Sequence, residues 1–566
     1  MDKIDSSSRR LAVSLLAIAG TLGAINAWSV RFSMNPDGIS YLDLSDALLQ
    51  SGWRGVINAY WSPLYPVLLG LANATLTPSV YWEFASAHLV NFVVYLLALL
   101  SFRYLLNGLI RCNREYRMAA RPEESGTSIP DWSWIVVGYT MFMWVSLRLI
   151  TIRVVSPDML VSALIYLIVG VLLRIEMGEK NWKTFTLLGC LLGLSYLAKS
   201  PMFVMAVLFL GIATMLVRKQ GRTIRGPLLS ALIFLLISSP LITALSTLKG
   251  RVTFGESAKL NYAWYVNGVK GPFHWQGGPE GAGVPEHPTR LISAGPAIYE
   301  FSEPVGGTYP AWYDPSYWYE GVTLHFNLAN QAAAILQNVQ KYWWIFFPVQ
   351  GGLIVVGVLL CVMLARSGLN AGAIAGAWSV LTPALAGLIM FCLVDVVPRY
   401  VGAYVLLLWL GVLSCLSAVR SSFTRKSRLS IVVLILVMPA LSLVSSTVAD
   451  VGDVFHDLQR PSEASNTQFQ IADGCARAGL HPGDRVGIIG PAFLQYWARL
   501  ARVKVIAELP VVDSSCWNSP SVRDHIIGVF VKAGANAVVS EHVPPVLIGS
   551  QWRKIEYTDI SVYRLP

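Results

Sequence analysis

The chain has 566 residues, of which 54% are hydrophobic and only 13% charged, and it carries a formal net charge of +10. That composition excludes an ordinary soluble globule, because too few polar side chains are available to cover its surface. A basic excess of this size could serve nucleic acid, but its placement along the chain assigns it another purpose.

A bilayer core takes about 20 apolar residues per helix. Runs of that kind fall at roughly 11–30, 80–107, 133–150, 159–174, 184–198, 201–217, 227–248, 342–365, 373–394, 400–419 and 429–448, about eleven spans in all. The basic residues gather in alternate loops: Lys3, Arg9 and Arg10; Arg111, Arg114, Arg117 and Arg121; Arg174, Lys180 and Lys183; Arg218, Lys219, Arg222 and Arg225; Arg366; and Arg420, Arg425, Lys426 and Arg428. If all eleven spans form, every cluster lies on one side, which is the positive-inside pattern. The N-terminus is then cytoplasmic and the tail from about Ala449 external, with the bacterial inner membrane as the expected site. Leu11–Val30 after Arg9-Arg10 could be a cleaved signal peptide, but removing it breaks this parity, so it is read as a retained first helix. The charge is topological, and no nucleic-acid partner is expected.

The expected fold is therefore a polytopic α-helical membrane protein, residues 1–448, with extracytoplasmic loops and a small C-terminal α/β domain, residues 449–566. In the first external loop, 31–79, Tyr41–Leu49 has apolar residues at helical spacing and reads as an amphipathic helix lying on the membrane. Trp53, Tyr60, Trp61 and Tyr65 then suit the aromatic belt. A second external loop, 249–340, has no obvious helices and is crowded with Gly, Pro, Trp and Tyr, as in Tyr309-Pro-Ala-Trp-Tyr-Asp314-Pro. Aromatic faces of this kind suit sugar rings as well as interfacial packing. In the tail, 485–490, 503–507, 534–539 and 560–563 read as strands, with helices at 468–479, 492–500 and 520–533. Cys475 and Cys516 share this external region, and their spacing leaves a disulfide or two buried thiols equally open.

The chemistry-bearing residues lie at the external ends of the spans. Asp37 follows the first; Arg153 and Asp158 sit between the third and fourth; Lys199 sits between the fifth and sixth; Asp395, Arg399 and Tyr400 sit between the ninth and tenth. Singly, each has an ordinary explanation: a terminal Arg or Lys snorkels to headgroups, and Asp before Gly favours a turn. Together, two acids and two or three cations on one membrane face suit transfer of a group from a lipid phosphate to a hydroxyl or amine. Cations would stabilise the departing phosphate, and one carboxylate, Asp37, would deprotonate the acceptor.

The ordered set Asp37-Gly-Ile-Ser-Tyr41, Tyr60-Trp-Ser-Pro-Leu-Tyr-Pro66, Ser156-Pro-Asp158, Leu197-Ala-Lys-Ser-Pro201 and Pro398-Arg-Tyr400 resembles the landmarks of polyprenyl-phosphate-dependent membrane glycosyltransferases. This is the GT-C superfamily, which includes the protein O-mannosyltransferases and the bacterial aminoarabinose transferase of lipid A. The resemblance covers about residues 1–420. It implies a GT-C-like fold, Asp37 as catalytic base, Asp158 as the second acid, and Lys199, Arg399 and Tyr400 near the donor phosphate; Arg153 joins these phosphate-binding candidates by its position on the same face. Tyr41, Tyr60, Trp61 and Tyr65 within the same motifs are the candidate substrate-binding residues. The implied partners are a polyprenyl-phosphate sugar donor, membrane lipids, and a lipid, glycan or protein acceptor, with inversion at the sugar.

Two departures leave sugar and acceptor open: Asp37-Gly38 where mannosyltransferases often carry Asp-Glu, and Ser62-Pro63 where many lipid A transferases carry Lys-Pro. No cofactor or metal ligand set is expected, although some distant relatives use a divalent metal, which stays open here. Alternative readings are a transporter or flippase, or an O-antigen-type ligase, for lipid-linked saccharides. A transport path calls for charges within the spans, where each costs about 2.5–3.5 kcal/mol, and the span centres are nearly free of them.

Overall fold

Helices dominate the computed structural model, which describes residues 6–120, 130–271, 274–366, 377–418, 425–459, 466–512, 515–541, 543–549 and 551–565. In chain order the principal helices of the first half are α1 (Ser6–Ser29), α2 (Pro36–Ser51), α3 (Leu64–Leu76), α4 (Glu83–Ala120), α5 (Asp131–Trp144), α6 (Asp158–Glu176), α7 (Trp182–Ala198), α8 (Met202–Lys219), α9 (Arg225–Lys249) and α10 (Ser257–Tyr265). The second half adds α11 (Leu328–Arg366), α12 (Trp378–Cys392), α13 (Pro398–Ala418), α14 (Arg425–Gln459), α15 (Thr467–Arg477) and α16 (Pro520–Lys532).

Among the described residues, eight helical stretches are long and apolar enough to cross a bilayer, so the chain is a multi-pass membrane protein. The expected spans at 184–198 and 373–394 correspond to α7 and α12, which are apolar but shorter. Residues 373–376 and 419, and the loop cations Lys3, Arg121 and Arg420, lie outside the described residues. The membrane helices hold together by close backbone approach. A Cβ on Gly189 would stand 2.6 Å from the Ser230 carbonyl, and one on Gly193 2.6 Å from Ile237. These two small residues, four apart, let α7 lie directly against α9.

Three outer segments differ from the sequence expectation. Helix α2 forms where the apolar spacing predicted it, yet Gly38–Ser45 are buried without a break, so it does not rest on the membrane with a wet polar face. Its polar side is occupied: Ser40 Oγ donates to the Trp312 carbonyl at 3.1 Å, and Asp43 meets Arg499 at 2.8 Å. The 249–340 loop is more ordered than its composition suggested. It contains α10, two one-turn helices at Pro310–Tyr313 and Pro315–Trp318, and the strands β1 (Arg290–Ala294) and β2 (Ala297–Glu300), while its last residues already belong to α11. Helix α14 likewise continues past Ala449 to Gln459.

The tail contributes β3 (Arg485–Ile489), β4 (Lys504–Leu509), β5 (Ala537–Glu541), β6 (Trp552–Lys554) and β7 (Ile560–Arg564). All seven strands form one sheet in the order β1-β2-β4-β3-β5-β7-β6. The central β4-β3-β5 ladders are parallel, and β2 joins the free edge of β4 antiparallel. The loop thus caps a sheet edge that would otherwise be open to other chains. Cys475 is a free, buried thiol packed in the cluster that includes Val486 and Ile488, whereas Cys516 packs with Ile506 and Phe530; the disulfide left open by spacing is not formed.

The sheet region docks onto the first loop through ions. Arg499, whose side chain is only 5% exposed, reaches Asp43 at 2.8 Å, Asp46 at 2.7 Å and Glu83 at 2.7 Å. Arg502, at the rim, adds a second contact to Glu83 at 2.6 Å. Truncating Arg499 leaves Asp43 buried without a counter-ion and Glu83 with Arg502 alone, which costs about 3–5 kcal/mol. Arg499→Ala should therefore lower the thermal midpoint in detergent markedly, whereas Arg502→Ala, exposed and sharing its acid, should cost under about 1 kcal/mol.

Candidate active site

Each charged residue of the site sits at a helix end; the polarity of that end suits Asp37, Asp158 and Lys199, whereas Arg399, a cation at an N-terminus, is held by the two acids instead. Asn35 precedes α2, Pro36 opens it, and Asp37 lies in its first turn. Pro157 precedes α6, whose first residue is Asp158. Acids are favoured there by the partial positive charge of an N-terminus, and Pro loses nothing where no helical partner awaits its nitrogen. Lys199 is the C-cap of α7, the end that favours a cation. Arg399 and Tyr400 follow Pro398 at the start of α13.

The two acidic turns are fastened to each other. Asn35 Oδ1 accepts from the Val155 N–H at 2.8 Å while its amide faces the Val155 carbonyl at 3.4 Å. Asn91 Nδ2 donates to the carbonyls of Ile152 and Val154, both at 3.0 Å, so the turn that delivers Asp158 has its backbone satisfied from α4.

On this frame four charges meet. Arg399 Nη2 lies 2.6 Å from Asp37 Oδ2, and its Nε lies 3.4 Å from Asp158 Oδ2. Lys199 Nζ contacts Asp158 Oδ1 at 2.5 Å and stands 3.5 Å over the Tyr400 ring. Ser156 Oγ donates to Asp158 Oδ2 at 2.9 Å, so both oxygens of this acid, which is 3% exposed, are engaged. Asp37 differs. It is 16% exposed and takes one cation, with Trp312 Nε1 donating to its other oxygen at 3.2 Å. Asp158 is placed to orient cations, and Asp37 is the acid accessible to a reactant. Burial holds the Lys199 ammonium below its ordinary value, against the pull of Asp158.

These groups line a cavity of about 230 Å³. Its charged lining is Asp37, Asp158, Lys199, Arg399 and Asp395, the last paired with Lys341. Tyr41, Tyr60 and Trp61 add aromatic surface, and Val204, Met390 and Phe391 add apolar surface. Such a lining can hold a ligand that joins an anionic group to flat-faced and apolar parts.

Two expected site residues lie elsewhere. Arg153 is 43% exposed and turns away to Asp450 at 2.5 Å and Asp453 at 3.8 Å, tying the α5–α6 turn to α14. It lines a separate recess with His456 and Tyr496. Tyr65 is fully buried behind Tyr41, its hydroxyl donating to Asn91 at 2.5 Å. It supports the wall without reaching the cavity. Conversely, sequence reasoning did not single out Trp312, Asn35, Asn91 or Ser156. Trp312 stood inside a conspicuous aromatic string, but nothing local says which of its rings faces Asp37. Lys341, bonded to Asp395, was missed because it lies in a helix beginning inside the supposed loop. Among the described residues no group of three His, Cys, Asp or Glu could hold a metal ion. The two acids of the site are each already compensated by a cation.

No protein-family model matches the chain, and no curated protein is similar to it. Likeness appears among solved structures. ArnT from Cupriavidus metallidurans in the apo state superimposes with a TM-score of 0.51 at 12% identity, covering 99% of this chain and 98% of that one. The same protein bound to undecaprenyl phosphate gives 0.49 at 11% identity, with 97% of each chain covered. The archaeal oligosaccharyltransferase AglB from Archaeoglobus fulgidus, in complex with an inhibitory peptide and a dolichol-phosphate, gives 0.47 at 13% identity, covering 95% of this chain and 70% of that one. At such identities the likeness is one of architecture, and over essentially its whole length this chain has the fold of ArnT.

Proposed function

We propose that the protein is an integral-membrane glycosyltransferase that moves a sugar from a polyprenyl-phosphate donor to a hydroxyl- or amine-bearing acceptor at one membrane face. The observation that carries this reading is the cavity in which Arg399 bridges Asp37 and Asp158, Lys199 caps Asp158, and aromatic and apolar side chains share the lining. The ArnT fold and the motif resemblance support it independently.

In this mechanism the donor phosphate lies between Lys199 and Arg399, and the sugar rests against Tyr60 and Trp61. Arg399 presents a planar fork that can hold carboxylate and phosphate together, and Lys199 adds a compact charge. Asp37 accepts the proton of the acceptor as its oxygen or nitrogen forms a bond to the anomeric carbon. The bond from that carbon to the phosphate oxygen breaks, and its electron pair leaves with the phosphate. Attack from the side opposite the phosphate inverts the anomeric centre. Because the leaving group departs as an anion stabilised by two cations, the reaction needs no second carboxylic acid to protonate it. All four charges lie at helix ends on one side of the bundle, which favours chemistry at a surface over passage of a saccharide through the bilayer.

Asp37→Asn should lower transfer by about 10²–10⁴-fold while the protein still inserts and folds. The assay is turnover of radiolabelled polyprenyl-phosphate sugars in detergent, where no membrane divides two compartments; near-normal transfer by the variant would remove Asp37 as the base. A second expectation concerns pH. Since burial lowers the Lys199 ammonium, its charge is lost at a pH below that of an ordinary lysine, and donor binding weakens as pH rises through that point. Lys199→Arg keeps its charge there, so its alkaline limb of kcat/KM should move to higher pH; an unmoved limb assigns it to another group.

A further inference from the structure

We infer that Trp312 is a positioning residue for Asp37, holding the carboxylate in its reacting orientation from outside the cation cluster; the inference rests on the glycosyltransferase reading. Asp37 has two oxygens and two fixed partners, Arg399 on Oδ2 at 2.6 Å and the Trp312 indole N–H on Oδ1 at 3.2 Å. Two contacts of unlike direction set the plane of a carboxylate, whereas one leaves it free to rotate. In the proposed reaction Arg399 is shared with the donor phosphate. The indole is then the partner with no other claim on it from the donor, and being neutral it orients the acid without adding a competing positive charge.

The surroundings of Trp312 are those of a braced residue. Its carbonyl accepts from both Ser40 Oγ and Trp61 Nε1, each at 3.1 Å, which ties it to α2 and to the cavity wall. Its ring meets Tyr60 and Trp61 with centroids 5.6 Å away, and the edge of Phe493 at 5.2 Å. The chain just before it is held as firmly. Thr308 donates from N and Oγ1 to Asp43 at 2.7 and 2.9 Å, its carbonyl accepts from the Val505 N–H at 2.9 Å, and the Tyr309 hydroxyl donates to Glu508 at 2.8 Å. Trp312 is thus the point at which the loop, the sheet region and the first-loop helix all bear on the proposed base.

The test compares Trp312→Phe, which keeps an aromatic ring and removes the N–H, with Trp312→His, whose Nε2 occupies the corresponding place in a five-membered ring. Wild type and Asp37→Asn are assayed beside them with a panel of radiolabelled undecaprenyl-phosphate sugars in detergent. The loss of a hydrogen bond to a charged acceptor should lower kcat for Trp312→Phe by roughly 10- to 100-fold, with donor KM within about 2-fold of wild type. Trp312→His should recover part of the loss, and both variants should stay folded with a lowered thermal midpoint, since each leaves space beside Tyr60 and Trp61. A wild type that transfers, an inactive Asp37→Asn, and a Trp312→Phe whose kcat is unchanged would overturn the role of Trp312 alone. Equal impairment of Phe and His variants, or a loss confined to donor KM, would assign Trp312 to shape and overturn it as well. A wild type that turns over no donor removes the enzyme reading, and this assignment with it.

Discussion

A carboxylate beside hydrocarbon must be paired, and the architecture around the cavity follows from that requirement. Asp37 and Asp158 stand at the rim of a helix bundle where desolvation penalises an unpaired charge by several kcal/mol. Arg399 answers both, and Lys199 answers Asp158. The four residues come from four separate places in the chain, so satisfying the charges also fixes where α2, α6, the α7–α8 turn and α13 lie. The cluster is therefore a registration device as much as a chemical one. Its net charge is near zero, and its members line a cavity that also presents aromatic and apolar surface.

A second ionic cluster performs the same service one layer out. Arg499 with Asp43, Asp46 and Glu83 joins the sheet region to the first loop, and Asp43 also holds Thr308. A single buried acid thus ties α2, the aromatic loop and the tail into one arrangement, and Asp37 lies only two turns earlier on that helix.

The membrane helices were readable because a bilayer demands about 20 apolar residues in succession, and that signal is local. Asp37, Asp158, Lys199, Arg399 and Tyr400 could be gathered because each adjoins a span end, and helix parity assigns span ends to a face. Arg153 shared that face but not that site, since parity says nothing about direction around the bundle. Tyr65 was grouped with Tyr60 and Trp61 by proximity in sequence, yet five residues along a chain entering a helix carry its ring behind the wall. Helix α2 was legible as a helix from its spacing, while the burial of Gly38–Ser45 involves partners as distant in sequence as Trp312 and Arg499. The strands β1 and β2 were hidden for the same reason: five and four residues long, they form a hairpin that joins the sheet only where β2 pairs with β4, some two hundred residues on.

By itself the sequence determined what a short window can carry: that the chain lives in a membrane, where most of its helices lie, and that acids and cations recur at the ends of its spans. Only the tertiary structure decided which of those charges face one another, that the loop and tail build a single sheet, and that an indole from the loop reaches Asp37. The physical reason is range. Hydrophobic length and helix-end preferences act within a few residues, whereas ion pairing and ring packing act through space and have no signature until the chain is folded.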